Sequence, residues 1–203
     1  MALQIWEIML ERNRGSSYRF VLNQLPRLSS EIFVDAASTW GIGGLLGQCY
    51  FQYSNHEVRQ FHDLFEDCRH KKYMEISSER LPIAYLELLA AMIAVVCFAP
   101  KCSGHIVRLN CDSSDAVTWL QKSRCPAGIG FRMLSVIELY KHKYCFKISC
   151  HYIRGVSNRS ADSLSRGIIP SWLVRDGKKL GVDLTGVIEL FHDPSGAWKK
   201  EIH

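Results

Sequence analysis

The chain has 203 residues, of which 47% are hydrophobic and 22% are charged, and its formal net charge is +5. These proportions are close to those of globular proteins and exclude wholesale disorder. The length fits one well-buried domain with short extensions. The mild positive charge allows a nucleic-acid partner but does not demonstrate one.

The eight cysteines would suit a secreted disulfide scaffold, but Met1–Glu7 lacks the layout of a signal peptide. Several cysteines, among them Cys97, Cys111 and Cys150, fall inside apolar segments, where reduced thiols pack as small hydrophobes. The longest apolar stretch, Leu88–Ala99, is shorter than the about 18 residues that span a bilayer and predicts a core helix. We therefore expect an intracellular protein, cytoplasmic or nuclear, with reduced thiols and no membrane partner.

The first half of the chain begins with residues 1–30, where an amphipathic helical pattern appears but no compact domain. A buried-strand pattern at Ile32–Val34 then stops at Asp35. Residues 41–53 predict a long second strand whose glycines allow close backbone approach. A third strand is expected within residues 57–65, which would complete an antiparallel meander.

The second half predicts mainly helices with two further strands. After a polar loop at residues 66–80, Pro82 suits the first turn of a helix that runs to about Phe98 and is ended by Pro100 and Gly104. The remaining pattern predicts a strand at 105–111, a helix capped by Ser113 or Ser114, a helix at 129–142, a strand at 144–153 and a short helix at Asp162. Strand–helix–strand crossovers imply parallel pairing, so the predicted fold is α/β with a mixed sheet.

Four carboxylates stand at the ends or in the interior of these elements: Asp35, Glu87, Asp112 and Asp162. Taken singly, the three aspartates are typical of turns, helix caps and first helical turns. Glu87 is harder to explain in this way because almost every neighbour in the helix at 84–96 is apolar. A buried, unpaired carboxylate costs several kcal/mol or takes up a proton.

The predicted topology brings the four acids together, because the carboxyl ends of neighbouring parallel strands lie at one edge of a sheet. Clustered anions repel, so we expect divalent cations between them, and all-oxygen ligands suit Mg²⁺ or Mn²⁺. Two such ions, about 3.5–4 Å apart, activate a water and stabilise the leaving oxygen of a phosphodiester. The sequence therefore predicts a nuclease site in which Asp35, Glu87, Asp112 and Asp162 are both metal ligands and catalytic residues.

Four motifs carry a family resemblance. They are Phe-Val-Asp-Ala-Ala-Ser-Thr-Trp-Gly-Ile-Gly-Gly from residue 33, Tyr-Leu-Glu-Leu-Leu-Ala-Ala from 85, Leu-Asn-Cys-Asp-Ser-Ser-Asp-Ala-Val from 109, and Ile-Arg-Gly-Val-Ser-Asn-Arg-Ser-Ala-Asp-Ser-Leu-Ser-Arg from 153. Together they resemble the ribonuclease H domain of retroelement reverse transcriptases, most closely that of gypsy-like and DIRS-like retrotransposons. The likeness covers about residues 30–167. It implies a connection segment at 1–30, a ribonuclease H-like domain at 31–167 and a C-terminal extension at 168–203.

The resemblance implies a ribonuclease H-like fold, with a mixed five-stranded sheet of order 3-2-1-4-5 in which strand 2 is antiparallel. It implies an endonuclease that cuts the RNA strand of RNA–DNA hybrids with two Mg²⁺ or Mn²⁺ ions. Asp35 would bridge both ions, Glu87 and Asp112 would bind one, and Asp162 the other. The implied protein partner is an upstream polymerase domain of the same polyprotein.

This chain departs from the family in two places. Cellular members carry a histidine in a longer loop before the last aspartate, whereas Gly155–Asn158 is too short to hold that loop. Ser113 stands where the family usually has Asn. The alternative is a non-catalytic descendant that binds nucleic acid or a protein partner, although retention of all four acids argues against it. Another nuclease of the same fold, such as a junction resolvase, is disfavoured by the Asn-x-x-Ala-Asp signature.

Further polar residues are candidates for binding. Hybrids are recognised through phosphates, 2′-hydroxyls and shape, and the candidate substrate contacts are Ser38, Ser113, Arg154, Asn158 and Arg159, with Lys122 and Arg124 for more distant phosphates.

A less favoured hypothesis concerns zinc. The pairs Cys102/His105 and His142/Cys145 precede strands predicted to be neighbours, and two such pairs can form a tetrahedral site.

Overall fold

The structure, a computed structural model, describes residues 28–66, 82–126 and 128–192. The helical pattern predicted near the N-terminus lies outside these ranges, as do residues 193–203 of the predicted extension. The predicted loop at 66–80 also lies outside them, except for its first residue, Glu66.

Six strands and seven α-helices are formed by the described residues. The strands are β1 Leu28–Ala37, β2 Gly41–Leu46, β3 Cys49–Ser54, β4 Ile106–Cys111, β5 Lys147–Tyr152 and β6 Lys178–Lys179. The helices are α1 Arg59–Glu66, α2 Ile83–Cys102, α3 Ser114–Lys122, α4 Gly128–Lys143, α5 Arg159–Ser165, α6 Ser171–Asp176 and α7 Leu184–His192, with a 3₁₀ turn at Gly155–Ser157.

The strands form one mixed sheet of order β5-β4-β1-β2-β3-β6. β1, β4 and β5 are parallel to one another, and β2 is antiparallel to β1 and β3, which confirms the α/β class, the mixed sheet and the direction of strand 2. The predicted count of five strands and the order 3-2-1-4-5 were wrong. Lys178–Lys179 pair with β3 as a sixth, parallel edge strand.

The segment at 41–53 is a hairpin and not the single long strand predicted. Its reversal lies at Gly47, whose φ of +57° belongs to the left-handed region that glycine adopts without strain. The two strands are joined by a two-residue loop, Gly47-Gln48. This loop lacks the Asn-Gly or Asp-Gly pair that usually marks a hairpin, so the pattern of the sequence did not indicate a turn.

The prediction of a third strand within residues 57–65 was also wrong, because α1 occupies this segment. The Ser54 backbone N–H and hydroxyl both donate to the Glu57 carboxylate at 2.7 Å, as in a capping box. Val58 and Phe61, three residues apart, are fully buried. That spacing is helical, so a Ser-x-x-Glu signal was present in the sequence and was overlooked.

Helix α2 packs on one face of the sheet and is buried along most of its length. It is long and apolar enough to cross a membrane, but 78% of the apolar stretch is buried inside the protein. The predicted core helix is therefore confirmed. Pro100 lies inside the helix and does not end it as predicted; the helix continues to Cys102.

Alternation along β1 assigns the two faces of the sheet. Ile32 and Val34 belong to the large core under α2, whereas Phe33 packs against the smaller cluster that contains Leu164 of α5. Helix α5 lies close to the backbone of β2, because a Cβ at Gly43 would stand 2.5 Å from Leu164 Cβ and 2.7 Å from Ser165 N. Glycine at this position lets α5 approach the sheet.

Residues beyond 167 pack on the rest of the domain. The Tyr53 hydroxyl accepts from Val182 N at 2.6 Å and lies 3.3 Å from the Val182 carbonyl oxygen. The Phe191 ring meets Phe61 edge-on with centroids 5.5 Å apart. These contacts attach the described part of the C-terminal extension to the domain, while the boundary at 167/168 stays a prediction.

Candidate metal centre

The site begins where β1 and β4 separate. Their ladder ends at the pair Phe33–Asn110, and β1 then continues while paired with β2 alone. Asp35 and Asp112 each lie two residues beyond that last pair, so they face each other across the opening. Their carboxyl groups are within hydrogen-bonding reach of each other. Asp35 therefore lies inside a strand, opposite Gly43, and does not end the strand as predicted.

Asp35 is only 4% exposed, and α5 with the turn before it holds the carboxylate. Ser165 Oγ donates to Asp35 Oδ2 at 2.5 Å. The Asn158 side-chain amide donates to Asp35 Oδ1 at 3.3 Å and to the Val34 carbonyl oxygen at 2.8 Å. Both oxygens of Asp35 therefore have a fixed orientation.

Glu87 comes from α2, on the other face of the sheet, and is also 4% exposed. Its Oε1 accepts from the Ala36 backbone N–H at 3.2 Å, and its Oε2 accepts from the Cys111 thiol at 3.5 Å. Within the part of the chain that the structure describes, neither Glu87 nor Asp35 forms an ion pair. Two buried carboxylates without a cationic side chain require either protonation or a bound cation.

Glu87, Cys111 and Asp112 form a compact donor group. One ligand atom from each lies within 4.8 Å of the other two, and this group could hold a metal ion. Glu87 and Cys111 are buried, whereas Asp112 is half-buried and gives access from solvent. The geometry provides one place for an ion.

Asp162 lies at the edge of this arrangement, in the first turn of α5. Its Oδ1 accepts from Arg166 Nε at 2.8 Å, and its side chain is 41% exposed. Its negative charge acts on Asp35 and raises the pKa of that residue, so the two carboxylates are electrostatically linked. Asp162 lies outside the compact group of Glu87, Cys111 and Asp112.

The clustering and burial of these carboxylates raise the pKa values of Asp35 and Glu87. Burial raises the pKa of Asp35 to about 7, and the charges of Asp112 and Asp162 add to the effect, although the Ser165 hydrogen bond offsets part of it. Burial likewise raises the pKa of Glu87 to about 9, with repulsion from Asp35 and Asp112. A divalent cation would reverse both shifts, because it favours the ionised carboxylates.

The predicted substrate residues divide by exposure. Ser38, Arg154 and Arg159 are exposed, as are Lys122 and Arg124. Ser113 is the N-cap of α3, where its Oγ accepts from Ala116 N at 3.3 Å, which confirms the predicted cap. Asn158 is 1% exposed and contacts Asp35, so the structure gives it a positioning role. Contact of any of these residues with substrate stays a prediction.

The predicted zinc quartet is not drawn together. The Gly104 N–H donates to the Cys145 carbonyl oxygen at 3.1 Å, so the two loops are adjacent. However, Cys102 is buried whereas Cys145 and His105 are exposed. Among residues 28–66, 82–126 and 128–192, the grouped metal-binding side chains are those of Glu87, Cys111 and Asp112.

Sequence reasoning overlooked two residues of this site. Cys111 was interpreted as a small packing residue, but its thiol contacts Glu87. Its position directly before Asp112, at the end of a strand, was the available signal. Ser165 follows Asp162 by three residues on a helix, and this spacing places both near the same face. Its contact is with Asp35, which lies 130 positions earlier in the sequence, so no local pattern indicates it.

Comparison with protein families gives no match for this chain. Comparison with curated proteins gives no significant match either.

Proposed function

We propose that the chain is a divalent-metal-dependent endonuclease that hydrolyses the RNA strand of RNA–DNA hybrids, and that its fold is ribonuclease H-like. The observation that carries the proposal is the juxtaposition of Asp35 and Asp112 at the opening between β1 and β4, with Glu87 beside them and Asp162 at the rim. The four motifs that resemble retroelement ribonuclease H domains contain these four acids. In this proposal the domain works beside a polymerase domain of a retroelement polyprotein.

The donor chemistry fits Mg²⁺ or Mn²⁺. Asp35, Glu87 and Asp112 supply carboxylate oxygens, which these hard cations prefer, and Asp162 supplies more at the rim. Burial raises the pKa of the Cys111 thiol, so the sulfur keeps its proton and serves as a donor to Glu87. We propose two ions, as the resemblance implies. Bound there, they would supply an activated water and charge stabilisation at the scissile phosphodiester.

The protein's own groups orient the carboxylates. Ser165 and Asn158 fix Asp35, while the Ala36 N–H and the Cys111 thiol fix Glu87. Such supporting hydrogen bonds set the direction of ligand lone pairs and commonly change metal affinity by about 10–100-fold. This change corresponds to about 1–3 kcal/mol of binding free energy.

The substrate side of the site begins at the 3₁₀ turn. A Cβ at Gly155 would stand 3.1 Å from Asp112 Oδ2, so this backbone runs directly beside the acid. Arg154 and Arg159 flank the turn and are exposed, which makes their charges available to phosphates of a hybrid. Phosphate contacts of this kind position a duplex without reading its sequence.

Cleavage assays with end-labelled RNA–DNA hybrid, RNA duplex and DNA duplex in Mg²⁺ or Mn²⁺ test the proposal. We expect cutting of the hybrid RNA alone, with 3′-hydroxyl and 5′-phosphate ends. Asp35→Asn and Glu87→Gln should each lower the rate about 100-fold or more, since loss of a metal ligand removes several kcal/mol of transition-state stabilisation.

The matched control is Asp115→Asn, which removes the same charge from an exposed position in the first turn of α3. It should cleave as the wild-type protein does. Hybrid binding without cleavage in either metal would overturn the enzyme and favour a non-catalytic nucleic-acid-binding descendant. If Asp115→Asn lost as much cleavage activity as Asp35→Asn, the assignment of the four acids as the active site would be overturned.

A further inference from the structure

The donor group contains a sulfur atom, which the proposed nuclease chemistry does not use as a ligand. Cys111 Sγ lies 3.5 Å from Glu87 Oε2, and Asp112 offers an oxygen within 4.8 Å of both ligand atoms. Mg²⁺ binds oxygen and avoids thiolate, whereas zinc and cadmium ions bind thiolate strongly. One set of residues therefore presents ligands to two chemically different classes of cation.

The spacing fits a tetrahedral ion. Zinc–sulfur bonds of about 2.3 Å and zinc–oxygen bonds of about 2.0–2.2 Å place the two ligand atoms about 3.5 Å apart at a tetrahedral angle. The observed separation of Cys111 Sγ and Glu87 Oε2 is 3.5 Å. Asp112 is half-buried, so its side chain can close the remaining distance by a small rotation at the mouth of the site.

A buried polar atom of the residue that holds Asp35 also lacks a partner among the described residues. Asn158 is 1% exposed, and its amide nitrogen donates to Asp35, but its Oδ1 accepts no hydrogen bond from the described part of the chain. Buried polar atoms are nearly always paired in folded proteins. A water on an ion held at Asp112, whose carboxyl group is within hydrogen-bonding reach of that of Asp35, would supply such a donor.

We propose that Glu87, Cys111 and Asp112 form an inhibitory site for a thiophilic divalent cation such as Zn²⁺ or Cd²⁺. On binding, a metal–sulfur bond replaces the sulfur–hydrogen bond of Cys111, and the proton leaves to solvent. Glu87 and Asp112 are then occupied, so Mg²⁺ loses two of its proposed ligands and the two cation classes exclude each other. The binding step is independent of the proposed function, whereas the inhibitory consequence rests on it.

Cadmium titration of the metal-free protein, followed by ultraviolet sulfur-to-cadmium charge-transfer absorption, tests the binding step. We expect the wild-type protein to develop a band that saturates at one equivalent, and we expect Mg²⁺ to raise the apparent cadmium Kd. Cys111→Ser should lose this band. Cys145→Ser is the matched control, because this thiol is exposed and lies outside the group, and it should keep the band.

Glu87→Gln gives a second test that retains the thiol. It should weaken cadmium binding at least about tenfold, because a charged ligand is lost. A wild-type protein without the band, or a band that persists in a folded Cys111→Ser protein, would overturn the site. Inhibition is measured separately as loss of Mg²⁺-supported hybrid cleavage on adding zinc. Zinc inhibition equal in the wild-type and Cys111→Ser proteins would overturn the regulatory role, and an inactive wild-type protein that still shows the band would count against the nuclease alone.

Discussion

Ser165 Oγ donates a 2.5 Å hydrogen bond to Asp35 Oδ2, and both residues are buried. This contact ties α5, which carries Asp162, to the central strand β1. It also offsets part of the desolvation that raises the pKa of Asp35. Helix α5 therefore has two roles at the site. It carries Asp162, and through Ser165 it orients the Asp35 carboxylate and favours its ionised form.

Ser165→Ala should raise the pKa of Asp35 further and weaken divalent-cation binding, since the hydrogen bond favours the ionised carboxylate. At pH 8, where most of the Asp35 carboxylate is ionised, loss of this hydrogen bond to a charged group should lower the free energy of unfolding by about 1.5–3 kcal/mol. Urea unfolding and Mn²⁺ titration measure the two effects. The matched control is Ser163→Ala, because the hydrogen bond of Ser163 Oγ goes to the Arg159 carbonyl oxygen of its own helix. Equal effects of the two substitutions would contradict the positioning role.

The metal-free protein should lose stability as the pH rises from about 4 to 9. The pKa of Asp35 is raised from 3.8 to about 7 and that of Glu87 from 4.5 to about 9, so the folded protein holds protons that the unfolded chain releases in this range. In EDTA the melting temperature should be higher at pH 5 than at pH 8. The free energy of unfolding should fall by a few kcal/mol over this range, because one unit of pKa shift corresponds to about 1.4 kcal/mol.

Two controls accompany the pH experiment. Glu87→Gln removes one of the two titrating groups and should flatten the dependence. Mg²⁺ at pH 8 should restore much of the lost stability, because it binds the ionised carboxylates. A melting temperature in EDTA that is equal or higher at pH 8 would show that the carboxylates are not buried as described.

Gly43→Ala should displace α5 from the sheet. The added Cβ would stand 2.5 Å from Leu164 Cβ and 2.7 Å from Ser165 N, and a backbone atom cannot yield as a flexible side chain can. We expect a destabilisation of about 1–3 kcal/mol together with loss of hybrid cleavage. Gly128→Ala is the control, because a Cβ there meets nothing within 4 Å and alanine favours the helix. A Gly43→Ala protein of wild-type stability and activity would contradict the close packing.

Arg154→Ala should weaken hybrid binding and reduce its dependence on salt. Arg154 is exposed directly before the turn beside Asp112, and each phosphate contact that is lost lowers the slope of log K against log salt by about 1. Fluorescence anisotropy at several salt concentrations measures this slope. Arg175→Ala is the matched control, since its side chain is 83% exposed on α6. An unchanged slope in Arg154→Ala would exclude the phosphate contact.

The sequence was most informative where chemistry and local pattern coincided. A charged residue in an apolar helix predicted that the Glu87 carboxylate is buried, and the structure leaves it 4% exposed. An acid directly after the strand that ends at Cys111 predicted that Asp112 lies beside a neighbouring parallel strand, and the structure has β1 beside β4. The core helix and the Ser113 cap followed from local rules.

The errors came from signals that depend on distant partners or on turn geometry. The reversal at Gly47 lacks a strong hairpin dipeptide, so one strand was predicted where two exist. The two residues of β6 have no hydrophobic pattern and are defined by pairing with β3 alone. The role of Cys111 depends on Glu87, which only the packing of α2 on the sheet brings within reach.

The central claim is that the carboxylates form one divalent-cation site, and a crystal of the protein soaked in Mn²⁺ tests it most directly. Anomalous scattering at the manganese edge should place ions at coordination distance from oxygens of Asp35, Glu87 and Asp112, with Asp162 completing the set. Manganese bound only elsewhere, or none at saturating concentration, would contradict the claim.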